Sequence, residues 1–240
     1  MQTVLLSSGE SLVRAFDLPR GIIALVGGGG KTTLMLCLAR ELADAGARVI
    51  VTTTTHIFTP DGMRTLDPQS EAEARTALSR KRLVCFGKAD ENGKLSVPSL
   101  PVEGFAALAD YVLVEADGAK RMPLKAPADH EPVIPPKTRL LIAVAGLEGV
   151  GRPLEHVAFR PERYAALCGK PLPAALEARD IALVLAHAQG QRKGLPEGAR
   201  FSVLLNKADD EARERAALEI AAQLRRYDVE RTVIAALGKR

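Results

Sequence analysis

The sequence predicts a three-layer α/β fold, a mainly parallel sheet with helices on both faces, and two observations carry that expectation. Apolar runs too short for helices, such as 22–26 and 111–114, alternate with amphipathic segments. The first of these runs passes directly into Gly27-Gly28-Gly29-Gly30-Lys31-Thr32-Thr33 and then into a helical pattern, the strand–loop–helix opening of a βαβ unit. At 240 residues and 47% hydrophobic, a single domain over 1–240 is expected, because two separate cores would each be small.

Taken in order, the first strand spans 22–26, and the helix over 31–45 ends at Gly46 in a C′ position. A second strand over 48–52 follows after a short turn. Ser70 caps a helix to about Arg80, with Glu73 as its capping-box partner. Segments 83–86 and 95–97 flank Glu91-Asn92-Gly93-Lys94, whose Asn-Gly pair signals a type I′ hairpin, so 56–108 is read as an elaboration on the sheet. Further strands are expected at 111–114, 139–145 and 201–205, a helix over 210–226, and a final edge strand at 232–235.

Composition narrows the partners. The net charge of +4 and pI near 9.0 arise from Lys and Arg interspersed with Asp and Glu. The densest basic run, Arg80-Lys81-Arg82, reads as a solvated edge. No Trp and 4% aromatic residues leave no base-stacking platform, so no nucleic-acid partner is expected. Cys37, Cys85 and Cys168 are odd in number and lack C-x-x-C spacing, which suits small buried hydrophobes in a reducing cytoplasm. Residues 1–10 lack the charged n-region of a signal peptide, and no apolar stretch approaches the ~20 residues that span a bilayer.

The glycine loop is built for phosphate. Glycines let successive N–H groups turn toward an anion, and the new helix points unsatisfied donors the same way. Amides from Gly28 to Thr32 together with Lys31 would stabilise a transferring phosphoryl group, Lys31 on the β/γ-phosphates and Thr32 on Mg²⁺, with Thr33 beside it. The loop is short, G-x-x-G-K-T from Gly27, with Leu25 where the longer G-x-x-x-x-G-K-[ST] form has glycine. This marks a P-loop NTPase-like domain.

Ligands of open parallel sheets bind beyond the strands' carboxyl ends, so the segments that follow the strands should converge on Lys31. Thr52-Thr53-Thr54-Thr55-His56 offers hydroxyls and an imidazole, although threonines are also ordinary strand residues. Glu115 and Asp117, alternate residues at a strand end, could share one face and hold Mg²⁺, one directly and one through water. Asn206-Lys207-Ala208-Asp209 reads as N-K-x-D, in which the aspartate accepts from guanine's ring N–H groups and so selects GTP over ATP. Alternatively, Asn206 and Asp209 cap the following helix. Five prolines between Lys120 and Lys137 exclude a helix there, and that stretch carries Lys120, Arg121, Lys125, His130 and Glu131, either as a solvated loop or as charge offered to a nucleotide or a second substrate. Gly146 to Arg152 is equally open.

Val26 to Leu34, Thr52 to Thr55, Val114 to Lys120, Pro123 to Pro127, His130 to Pro135 and Leu205 to Asp209 together resemble the YqeC family, accessory proteins of selenium-dependent molybdenum hydroxylases. The resemblance implies a cytoplasmic role in maturing such an enzyme or its molybdopterin-type cofactor. Glu115-Ala116-Asp117-Gly118 is similar to the E-x-x-G of GTPases that assist nickel and cobalamin enzymes, which places Gly118 at the nucleotide. The short loop is similar to that of Mur-type ligases, which use ATP. The function expected is Mg²⁺-dependent binding and hydrolysis of GTP or ATP, GTP favoured. Lys31, Glu115 and Asp117 would be catalytic, Thr32, Glu115 and Asp117 on the metal, and Gly27, Gly28, Gly29, Gly30, Thr33, Gly118, Lys125, Asn206, Lys207 and Asp209 on the nucleotide. The alternatives are a nucleotidyltransferase or ligase, with Lys125 holding an acceptor, and a non-catalytic nucleotide-gated chaperone.

Overall fold

The computed structural model describes residues 2–239 apart from 8 and 61; the expectation made for residues 1–10 therefore falls partly outside the described residues. Nine strands form one sheet, in the spatial order Gln2–Leu5, Arg231–Ala235, Arg200–Asn206, Thr138–Gly146, Gly21–Gly27, Tyr111–Glu115, Val49–Thr53, Leu83–Phe86 and Thr65–Leu66. Every neighbouring pair is parallel. Both faces are covered. Along Gly21–Gly27, Ile23 and Leu25 face the Lys31–Asp44 helix, while Ala24 and Val26 face a layer with Ala178–Ala186 and Glu211–Leu224, as the two-residue period of a strand requires. A third cluster lies under Glu71–Arg80, around Phe86 and Phe105. The α/β three-layer expectation holds.

The glycine-loop strand sits where the chain changes direction. After it the chain runs outward through Val49–Thr53 and Leu83–Phe86, returns to insert Tyr111–Glu115, and then builds the opposite half from Thr138–Gly146 onward. Such a switch point leaves a crevice at the carboxyl ends. Register brings the ends together, with Leu25 and Thr53 flanking Glu115, and Gly146 beside Asn206.

Several local expectations are corrected. Leu83–Phe86 belongs to the main sheet and not to a hairpin; the antiparallel pair is Lys88–Ala89 with Lys94–Ser96, joined to Ile57–Phe58 in a small separate sheet. In its turn only Gly93 is left-handed, so it is not type I′; the Asp90 side chain organises it by accepting from the amides of Asn92 and Lys94. Of 56–108, therefore, Thr65–Leu66 and Leu83–Phe86 extend the main sheet. Arg231–Ala235 is not an edge, because Gln2–Leu5 pairs along it. Ser70 does cap its helix, but Glu73 reaches back to the Gln69 amide and leaves the capping box half made. Of the cysteines only Cys85 is buried. Among the described residues no helix is long and apolar enough to cross a membrane.

Candidate functional site

The Lys31–Asp44 helix buries Lys31, Leu34, Met35, Leu38, Ala39 and Leu42, so the lysine lies on the same stripe as the core residues. Its chain therefore turns inward under the loop. Of the four glycines above it, Gly27, Gly28 and Gly29 are packed against backbone and Gly30 against the Asn206 side chain. A Cβ on Gly28 would stand 2.5 Å from the Met122 carbonyl, and one on Gly27, Gly29 or Gly30 would overlap Val144, Gly146 or Asn206. Gly27, Gly29 and Gly30 also have φ of 97°, 77° and 129°.

The loop amides divide into two sets. Gly27 N–H donates to Asp117 Oδ2 at 3.1 Å, Gly28 N–H to the Val144 carbonyl at 2.9 Å and Gly29 N–H to the Met122 carbonyl at 3.0 Å. Those donors hold the loop's shape, which corrects the expectation that the Gly28 and Gly29 amides meet phosphate. The first-turn amides of Lys31, Thr32 and Thr33 have no acceptor within the helix, and all three residues line the cleft at its N-terminus.

The two carboxylates have different fates. Thr32 Oγ1 donates to Glu115 Oε2 at 2.8 Å, at the edge of a cleft of about 1560 Å³ that both residues line. Asp117, two residues past the strand end and fully buried, takes Lys31 Nζ at 3.1 Å and Lys125 Nζ at 2.9 Å. With its oxygens turned to two ammonium groups and the loop, Asp117 is not a metal ligand, and the expectation that it shares the metal is corrected. Lys31 Nζ also donates to the Gly27 carbonyl at 2.6 Å and lies 3.6 Å from Glu115. Burial draws the Lys31 ammonium down, but Asp117 and Glu115 more than offset it and hold its pKa above the ordinary value. Burial likewise pushes the Glu115 carboxyl up, against the opposing pull of Lys31 and Thr32.

Thr32 and Glu115 fit a magnesium ion. Both donors are hard oxygens, and their 2.8 Å separation matches the roughly 2.9 Å edge of an octahedron with bonds of about 2.0–2.1 Å. Mg²⁺ takes only one or two protein oxygens when phosphates and water supply the rest.

Lys125, read as a nucleotide or acceptor ligand, is instead fully enclosed. It pairs with Glu131 at 2.8 Å and donates to the Gly118 carbonyl at 2.6 Å, fixing the turn that follows the carboxylate strand. Gly118 does line the cleft. Glu131 continues to Arg160 at 2.6 Å. Lys31, Glu115, Asp117, Lys125, Glu131 and Arg160 thus form one neutral chain of three cations and three carboxylates. The proline-rich stretch is solvated only in part: residues 123–128 are buried, Leu124–Lys125 pairs with Ala158–Phe159, and Val133 N–H donates to the Ala116 carbonyl at 3.0 Å, while Lys120, Arg121, Asp129, His130, Pro136 and Lys137 are exposed.

The charge chain makes an acid-sensitivity prediction. Burial pushes the Glu131 carboxyl up, yet hydrogen bonds from Lys125 and Arg160 outweigh it and hold the group at about 2, against an ordinary 4.5. A depressed carboxylate stabilises the fold above its unfolded pKa and loses that contribution as pH falls toward the folded one. Wild type should exceed Glu131→Gln by about 3 kcal/mol at neutral pH, and the gap should close between about pH 4.5 and 2 in urea melts. A gap independent of pH would contradict it.

On the opposite side of the loop, Asn206 is buried and donates to the Gly29 carbonyl at 2.8 Å while accepting from Leu237 N–H at 3.1 Å. Lys207, left-handed at φ 65°, lines the cleft and pairs with Glu148. The helix cap is Asp210, which accepts from Arg213 N–H at 2.9 Å, so neither Asn206 nor Asp209 does that work. Asp209, half-buried, pairs with Arg213 at 3.1 Å. The threonines after the second strand are structural hydrogen-bonders: Thr52, Thr53 and Thr54 donate to the carbonyls of Phe86, Glu115 and Val133. His56 lines the cleft. Sequence reasoning missed Phe58, Phe159 and Arg160 in the cleft wall and Glu148 beside Lys207; isolated residues of those types carry no pattern by which spacing could find them.

A family model described as YqeC protein matches residues 23–162, a span that holds the loop, both carboxylates and the whole charge chain. A relative named "Uncharacterized protein YqeC", from Escherichia coli (strain K12), is 35% identical over 221 residues, covering 87% of this chain and 84% of its own. Among solved structures, the BceF Tyrosine Kinase Domain aligns with 93% of this chain and 72% of its own at 15% identity, and its TM-score of 0.29 is too low to bear on fold or chemistry. With more than half its length inside the family model and a relative matched across most of both sequences, the chain belongs to the YqeC family.

Proposed function

We propose that this protein binds and slowly hydrolyses a nucleoside triphosphate with Mg²⁺, GTP in preference to ATP, as an accessory factor in the maturation of a selenium-dependent molybdenum hydroxylase or its cofactor. The observation that carries the nucleotide reading is the Thr32–Glu115 oxygen pair beside Lys31, directly below a helix N-terminus with open first-turn donors. Bound Mg²⁺ would neutralise charge on the phosphate oxygens. Lys31 is the mobile charge of the site: its amino group, now on Asp117 and the Gly27 carbonyl, is within reach of an anion on the first-turn amides. Glu115 holds Thr32 in orientation.

Slow turnover follows from how the carboxylates are used. Asp117 and Glu131 are each bound to two cations, and Glu115 is on Thr32, so none of these three carboxylates is left to orient water. A partner protein would supply that group. The guanine preference rests on the N-K-x-D segment, now freed of a capping role, and the maturation role rests on the likeness to YqeC alone.

Competition calorimetry with Mg²⁺ tests the reading. Wild type should prefer GTP, and Asp209→Ala should abolish the preference while keeping triphosphate affinity. Lys31→Ala should weaken both nucleotides roughly 10- to 100-fold, the worth of a charged hydrogen bond. Unchanged affinity in Lys31→Ala would falsify the phosphate assignment, and equal affinities in wild type would remove guanine.

A further inference from the structure

The cleft is larger than one nucleotide needs. At about 1560 Å³ it exceeds the roughly 300–1,000 Å³ of ordinary small-molecule sites, and the phosphate loop is only part of its lining. One half lies toward Lys207, Leu237 and Gly238, beyond the strands that carry the N-K-x-D segment. The other half lies toward Phe58, Lys120, Arg121, His130, Phe159 and Arg160.

The second half has an unusual construction. Among the described residues five non-glycine residues have positive φ; four of them, Lys120 (46°), Arg121 (62°), Arg160 (62°) and Lys207 (65°), are basic and line the cleft, the first three in this half. Lys120 and Arg121 are consecutive, in a backbone conformation that glycine would adopt at less cost. Neither has an ion-pair partner among the described residues. Aromatic rings hold them instead: Lys120 Nζ lies 5.5 Å from the centroid of Phe159, and Arg121 Cζ 4.9 Å from that of Phe58, which is 56% exposed.

That distinction decides what the wall can do. A carboxylate partner would position a cation and also neutralise it, whereas a ring face positions it and leaves its charge for a ligand. Arg160, 4.4 Å from the Phe159 centroid, is spent on Glu131 and serves to fix that ring. Two exposed cations without an ion-pair partner among the described residues therefore line the cleft beside the phosphate loop.

We propose that this half-cleft binds a second small molecule through an oxyanion, a phosphate ester or a carboxylate, held by Lys120 and Arg121 while the nucleotide occupies the loop. It rests on the nucleotide reading only for what fills the other half. A small molecule suits the site better than a peptide, because both cations line the same cleft as the phosphate loop.

Lys120→Gly with Arg121→Gly is the informative variant, since glycine keeps the left-handed backbone while removing the cationic side chains. The probes are phenyl phosphate and phthalate, two aromatic dianions that separate the sources. Each is titrated into protein saturated with Mg²⁺ and β,γ-imido-GTP, and again into Lys31→Ala without nucleotide. Binding of one probe that falls at least tenfold in the double-glycine variant, with analogue affinity within threefold of wild type, supports the site, and the probe that binds identifies phosphate or carboxylate. Binding indifferent to the double substitution, or absent for both probes in both backgrounds, overturns it. Failure of the analogue to bind wild type, with a glycine-sensitive probe site still present in Lys31→Ala, would overturn the nucleotide reading alone.

Discussion

Asp117→Ala is expected to lower the unfolding free energy by roughly 3–5 kcal/mol, the cost of breaking a buried ion network by removing one partner. Asp117 is fully buried and is the one carboxylate shared by Lys31 and Lys125. Its removal leaves three buried or half-buried cations facing two carboxylates, and it strips the acceptor from the Gly27 amide, which alone costs about 1–3 kcal/mol. Asp117→Asn should fall between wild type and alanine, because the amide oxygen can still accept from Gly27 while the charge is lost. Urea melts with an unchanged slope would show that stability, and not the compactness of the unfolded chain, has moved. A loss under 1 kcal/mol for alanine would show that the charge chain is not what holds the loop to the carboxylate strand.

How much of this was readable beforehand differs by residue, for physical reasons. The strand, loop and helix around Lys31 were legible because all their determinants are local: a β-length apolar run, glycines, and a stripe at 31, 34, 35, 38 and 42. Glu115 and Thr32 could be paired from topology, since switch-point strands converge. The separation of Glu115 from Asp117 was not legible. Alternation predicts one face, but the strand ends at Glu115, and what Asp117 meets is set by Lys125, eight residues on in a stretch without periodicity. Proline there correctly excluded a helix, yet burial of residues 123–128 depends on partners near 116 and 159. The strand Gln2–Leu5 was missed because its partner lies at the other end of the chain. The hairpin was misplaced because Asn-Gly is only one way to turn, and here the Asp90 carboxylate does the organising.

Gly29→Ala should be the most damaging single methyl that can be added to this protein's loop, and a second glycine supplies its control. Gly29 and Gly46 are both left-handed, at φ 77° and 89°. An alanine in that conformation costs on the order of 1–2 kcal/mol wherever it occurs. Around Gly46 nothing lies within 4 Å of an added Cβ, so Gly46→Ala should show that strain and little more. At Gly29 the same atom would overlap the backbone of Gly146, whose strand is locked on both edges by Gly21–Gly27 and Arg200–Asn206. Backbone cannot swing aside as a side-chain tip can, so overpacking adds roughly 1–3 kcal/mol, and the total reaches about 2–5 kcal/mol. The loop must then pull away from Gly146, which breaks the Gly29 amide bond to Met122 and the Asn206 bond to the Gly29 carbonyl. Both sides of the cleft are tied through those two bonds. Triphosphate affinity should therefore fall at least tenfold in Gly29→Ala and stay unchanged in Gly46→Ala, measured on protein shown to be folded by circular dichroism. Equal losses of stability in the two variants would mean that backbone strain alone, and not the close approach of Gly146, is what demands glycine at position 29.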